Sequence, residues 1–144
     1  NCIKKEDEIL SNELESIKTD FPVITDKNII EYYNCDICKR ILAEIDRVEL
    51  EQLKINSIPC LSAEDLALIE LEANLHLNGY VKHILIKHPE LKKQDIHCIC
   101  LSLLNINEPT IAVLLGRSYN AVWTRMKKIR TTMNINSNAD LLHI

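Results

Sequence analysis

Apolar residues along this chain recur at helical spacing, and almost nowhere at the alternation of a half-buried strand. Ile3, Leu10, Leu14, Ile17 and Phe21 fall on the a/d seam of a coiled coil, interrupted at Asp7, and predict a helix over 3–20. Phe21-Pro22 ends it, because proline disfavours helix in the residue before it. Thr25 or Asp26 can cap a second helix. Its stripe runs through Ile29, Tyr32, Tyr33, Ile37, Ile41, Ile45, Val48 and Leu53, so the pattern predicts one helix from 26 to about 53. Ile58-Pro59-Cys60 reads as a connector. Ser62-Ala-Glu-Asp65 resembles a capping box and opens a third helix that reaches His76. Asn78-Gly79 marks a turn, a fourth helix spans about 80–87 and stops before Pro89, and a fifth runs from about 93 to 104.

The densest turn chemistry lies at 107–133. Asn107 suits a helix cap, Pro109 suits the first turn, and Gly116 supplies the left-handed residue that ends a short helix. Ser118 then caps a longer helix that reaches Met133, and Asn136 or Ser137 opens a last short one. A short helix, a tight glycine turn and a longer basic helix are the parts of a helix-turn-helix, whose second helix enters the major groove of DNA. Thr110 and Asn107 are read as capping residues. Val122, Met126, Ile129 and Met133 form one stripe of the second helix and are expected in the core against Ile111, Leu114 and Leu115.

Charge sharpens this picture. The chain of 144 residues carries a net −4 overall, which by itself argues against a polyanionic ligand. Residues 1–75, however, hold 17 acidic and 8 basic side chains, whereas 76–144 hold 4 and 9. No acidic residue lies between Pro109 and Ala139, and Arg117, Arg125, Lys127, Lys128 and Arg130 all fall there. Locally dense positive charge is what attracts DNA phosphates. The expected division is an acidic helical dimerisation or linker region at 1–90 and a basic DNA-binding domain at 91–144.

The rest of the composition narrows the class. Only 4 % of residues are aromatic and two are glycine, which favours an all-α protein over a sheet. No apolar run is long enough to span a membrane, and no signal peptide is visible. The chain begins without Met, inside a helical pattern, and is expected to be a cytoplasmic piece of a longer protein. Six cysteines occupy 2, 35, 38, 60, 98 and 100. Their spacing does not suggest a disulfide framework. Cys35-Asp-Ile-Cys38 is a lone CxxC, read as two buried thiols on one helix face in preference to a zinc or redox site. There is no glycine-rich phosphate loop, and the five histidines are scattered, so neither catalysis nor a cofactor is expected.

From Leu91 to the end the chain resembles the LuxR/GerE-type DNA-binding domain. The matching features are Leu91 and Asp95, Ile111-Ala112-Val-Leu-Leu115, Ser118, then Val122, Ile129 and Met133, and the closing segment from Asn138. Residues 35–90 also look like the segment preceding that domain in one group of bacterial regulators, on the evidence of Ile37-Cys-Lys39, Leu61-Ser-Ala-Glu-Asp65 and Pro89-Glu-Leu91. The chain departs from the pattern at Lys92, where a Ser/Thr cap is usual, at Trp123, and at Asn134, where Gly often ends the helix. The resemblance implies a four-helix domain behind a helical region that can form a coiled coil. It also implies a homodimer on double-stranded DNA. In several such proteins the unit follows tetratricopeptide repeats and a membrane helix, so an upstream sensor and a membrane anchor are expected as well.

The residues expected at DNA are Arg117, Ser118, Asn120, Trp123, Thr124, Arg125, Lys127 and Lys128. The resemblance places Trp123, Thr124 and Lys127 in the groove, where Thr124 and Lys127 can reach base edges. Arg117, Asn120, Arg125 and Lys128 suit phosphate contacts. Trp123 has a competing reading as a buried or dimer contact. Two rival functions stay open: a promoter-binding domain like region four of sigma factors, and a helical module that binds protein.

Overall fold

The computed structural model describes residues 22–143, and the coiled-coil seam expected at 3–21 lies outside them. The described residues are helical and contain no strand: α1 (Asp26–Tyr33), α2 (Asp36–Leu50), α3 (Ala63–His76), α4 (Tyr80–Lys87), α5 (Lys93–Ser102), α6 (Glu108–Leu115) and α7 (Tyr119–Met133). Short 3-10 turns occupy Ile55–Ser57 and Asn138–His143.

Local chemistry accounts for most of these boundaries. Thr25 accepts the Asn28 N–H at 3.2 Å, and Asn28 Oδ1 accepts the Thr25 N–H at 2.9 Å, a reciprocal capping box at the start of α1. Ser62 and Asp65 make the same exchange at the start of α3. Asn78 and Gly79 both adopt left-handed backbone between α3 and α4. Asn134 ends α7 at φ 56°, so asparagine does there what glycine does more easily.

The single helix expected from 26 to 53 is two. Asn34 ends α1, with its side-chain amide donating back to the Ile30 carbonyl at 2.8 Å, and Cys35 is extended before α2. The physical reason is tertiary. Tyr32 donates its hydroxyl to the Cys100 carbonyl at 2.8 Å, and Tyr33 donates to the Leu103 carbonyl at 3.3 Å, which fixes α1 against the end of α5. Helix α2 also stops at Leu50, which is 84 % exposed, and Leu53 lies outside it.

Helix α3 is the hub. It packs against α1, α2, α4 and α5, while α5 packs on α6 and α7. Ile69, Ala73 and Leu77 meet Ile96, Ile99 and Leu101 in one continuous apolar core, which extends through Ile111, Leu114, Met126 and Ile129 to Leu141. Packing therefore runs unbroken across the boundary expected at 90/91. Tyr80 of α4 donates its hydroxyl to the Leu141 carbonyl, and the Leu61 N–H donates to the Leu114 carbonyl at 2.8 Å. The described part of the acidic region thus forms the platform on which the basic helices rest. One face of α3 has no cover among the described residues: Leu68, Leu71 and Leu75 are exposed.

Candidate nucleic-acid interface

Helices α6 and α7 form the turn motif, and its joints follow from a few side chains. Asn107 Oδ1 accepts the Thr110 N–H at 3.0 Å and the Thr110 hydroxyl at 2.6 Å, so both residues serve the cap. Gly116 sits at φ 63°. Its N–H and that of Arg117 return to the Val113 and Ala112 carbonyls at 3.1 and 2.9 Å, closing the helix end. A Cβ at Gly116 would lie 3.2 Å from Cys60 Sγ, so the connector before α3 presses against the turn. Ser118 Oγ accepts the Ala121 N–H at 3.1 Å and starts α7.

Helix α7 presents two faces. Val122, Met126, Ile129 and Met133 are buried, as their period predicts. Tyr119, Asn120, Trp123, Thr124, Lys127 and Lys128 are exposed, and Arg117 and Ser118 are exposed in the turn before it. Trp123 is 43 % exposed, so it is not a core residue of this chain. Lys127 Nζ lies 5.2 Å from the Trp123 ring centroid, within range of a cation–π contact that orders both side chains.

The expected cluster of five cations is divided by the structure. Arg125 Nη1 donates to Asp95 Oδ1 at 2.7 Å, and Asp95 is fully buried. Arg130 Nη1 donates to Glu108 at 3.2 Å and to Asn138 at 2.8 Å, both sides of the ion pair being largely covered. These two arginines tie α7 to the starts of α5 and α6 and to the closing 3-10 turn. Arg125, expected at a phosphate, is held in its ion pair with Asp95 and is 32 % exposed. Arg117, Lys127 and Lys128 have no acidic partner among the described residues.

Asp95 also explains how Lys92 substitutes for a conventional cap. The second carboxylate oxygen, Oδ2, accepts the Lys92 N–H at 2.7 Å. The carboxylate alone serves the helix start, because an ammonium has no lone pair to offer a backbone N–H. The Lys92 side chain is left at the surface. It lines one cleft of about 170 Å³ with Ala121, Thr124, Arg125 and Lys128, a proximity that sequence spacing does not reveal.

The cysteines show a different character. Cys35 is the extended, half-buried residue before α2 and Cys38 is buried one turn into it, so the two side chains lie next to one another at the helix start. Burial pushes the Cys38 and Cys100 thiols well up, and raises that of Cys98 to about 11. No group of three or more His, Cys, Asp or Glu side chains among the described residues is placed to hold a metal ion. No described helix is long and apolar enough to cross a membrane.

Comparisons with protein-family models, with curated proteins and with solved structures find no match to this chain.

Proposed function

We propose that this chain is the DNA-binding part of a transcriptional regulator, in which α7 enters the major groove of double-stranded DNA. One observation carries the reading. The helix after the glycine turn is locked into the core along Val122, Met126, Ile129 and Met133, and exposes Thr124, Lys127, Lys128 and Trp123 on its other side. A side chain at Thr124 can hydrogen-bond a base or meet a thymine methyl, and one at Lys127 can reach a guanine edge. Lys128, Arg117 and Asn120 hold phosphates and set the register. The role of the protein is recognition, with no catalytic step and no cofactor. The acting form is a homodimer, with the cytoplasm as the setting; sedimentation velocity checks the dimer.

The rival is a protein-binding module. Tyr119 and Trp123, exposed beside one another at the start of α7, are the side chains such a surface would also use. Selection of bound fragments from random duplex DNA separates the two. Enrichment of a shared sequence supports the regulator, and recovery of no fragment above background removes it. A promoter element as the enriched sequence would favour the sigma-like version of the same fold.

A further inference from the structure

We infer that Lys92 and Lys128 grip one backbone phosphate from two different helices, an inference that rests on the DNA reading above. Three observations lead there. Lys92, Thr124, Arg125 and Lys128 line the same cleft, which opens between the start of α5 and the first half of α7. Neither lysine has an acidic partner among the described residues, so both ammonium groups are available to an anion. The one carboxylate nearby, Asp95, is fully buried and has both oxygens engaged, one by Arg125 and one by the Lys92 N–H. The cleft therefore shows an anion two unpaired ammonium groups, beside an Arg125–Asp95 ion pair that is neutral overall.

Asp95 also fixes the geometry. It binds the backbone of Lys92 and the side chain of Arg125 at 2.7 Å each, so the start of α5 cannot move away from the recognition helix without breaking both bonds. The cleft width is set by that carboxylate. An ammonium on a flexible stem then closes over the phosphate from each side. Arg125, held by Asp95 through Nη1 and 32 % exposed, leaves other guanidinium N–H groups as donors at the floor. The bound group is a phosphodiester of the duplex whose groove α7 occupies, because the same wall of the cleft carries Thr124, whose neighbours face the bases.

Such a grip is independent of sequence and adds to the salt dependence of binding. The test uses the whole chain with the selected duplex and an unrelated one, in fluorescence anisotropy across a salt series. The variants are Lys92→Gln, Lys128→Gln, the double variant, and Lys92→Arg. Each single glutamine change should weaken both duplexes by the same factor and make the slope of log K against log salt shallower, and the double variant should lower it by about 1 in all, the count of one phosphate. Because the two lysines share a phosphate, the double variant should lose less than the product of the two single losses. Lys92→Arg should bind like the parent. Circular dichroism melts of each variant confirm folding. A Lys92→Gln protein that binds with parental affinity and slope, or a double variant whose losses multiply, overturns the shared grip while leaving the DNA reading intact. A parent that binds neither duplex overturns that reading itself.

Discussion

Removing the Asp95 carboxylate should loosen the hold of the scaffold on α7, and the size of the effect follows from what it touches. Asp95 is fully buried and accepts two hydrogen bonds, from Arg125 and from the Lys92 N–H. Asp95→Ala deletes a helix cap, worth about 1 kcal/mol. It also breaks an ion pair, for which removing one partner of a fully buried pair costs roughly 3–5 kcal/mol. The Arg125 side chain is 32 % exposed and can turn to water, so the second cost is reduced. We expect a total of about 2–4 kcal/mol. Arg125→Ala should cost at least as much despite sparing the cap, because it leaves the buried carboxylate with no counter-charge. Urea unfolding of the two single variants and the double variant measures this. The coupling between the two sites should be on the order of 1–3 kcal/mol, as for residues in direct contact. Single variants within about 0.5 kcal/mol of the parent, the range of ordinary surface changes, would refute the reasoning that Asp95 anchors α7.

Thr124→Ala and Lys127→Ala should fold normally, shifting stability by less than about 0.5 kcal/mol, and each should weaken binding to the selected duplex by about 1–3 kcal/mol. Val122→Asp should unfold the motif, since Val122 is 2 % exposed and a carboxylate there would be buried unpaired; melting and anisotropy of the same samples read both effects. Gly116→Ala should destabilise by roughly 1–2 kcal/mol in urea, because its positive φ strains any L side chain and the new Cβ meets Cys60 Sγ at 3.2 Å. Native alkylation near pH 8 should label exposed Cys60 quickly and leave Cys38, Cys98 and Cys100 unmodified until the protein unfolds, because burial holds all three as thiols. Mass spectrometry of timed samples would show the opposite order if those thiols were reactive.

The helices from α3 onward were legible because their ends carry their own chemistry. Ser62, Gly79, Asn107, Gly116 and Ser118 each act on neighbours within a few residues, and such contacts can be read from spacing alone. The break at Asn34-Cys35 was not legible, since Tyr32 and Tyr33 continue the apolar stripe. What divides the helix is the reach of their hydroxyls to carbonyls 68 and 70 residues away. The interface divides along the same line. The buried and exposed faces of α7 follow from its period. The fates of its cations do not, because Asp95 lies 30 residues from Arg125 and Glu108 lies 22 from Arg130. Counting charge within 109–139 omits both partners. It also omits Lys92, which reaches α7 only through the packing of α5 against α7.

The account stands on α7 and its surroundings as a surface for DNA, and a salt titration of duplex binding tests that most directly. Arg117, Lys127, Lys128 and Lys92 are exposed cations without acidic partners among the described residues. The affinity of the chain for its selected duplex should therefore fall steeply as salt rises, with a log–log slope of roughly −0.9 for each phosphate neutralised. At least two phosphates should be counted in this way, one at Arg117 and one between Lys92 and Lys128. Duplex binding that does not change between low and physiological salt, or no duplex binding at either, would contradict the account.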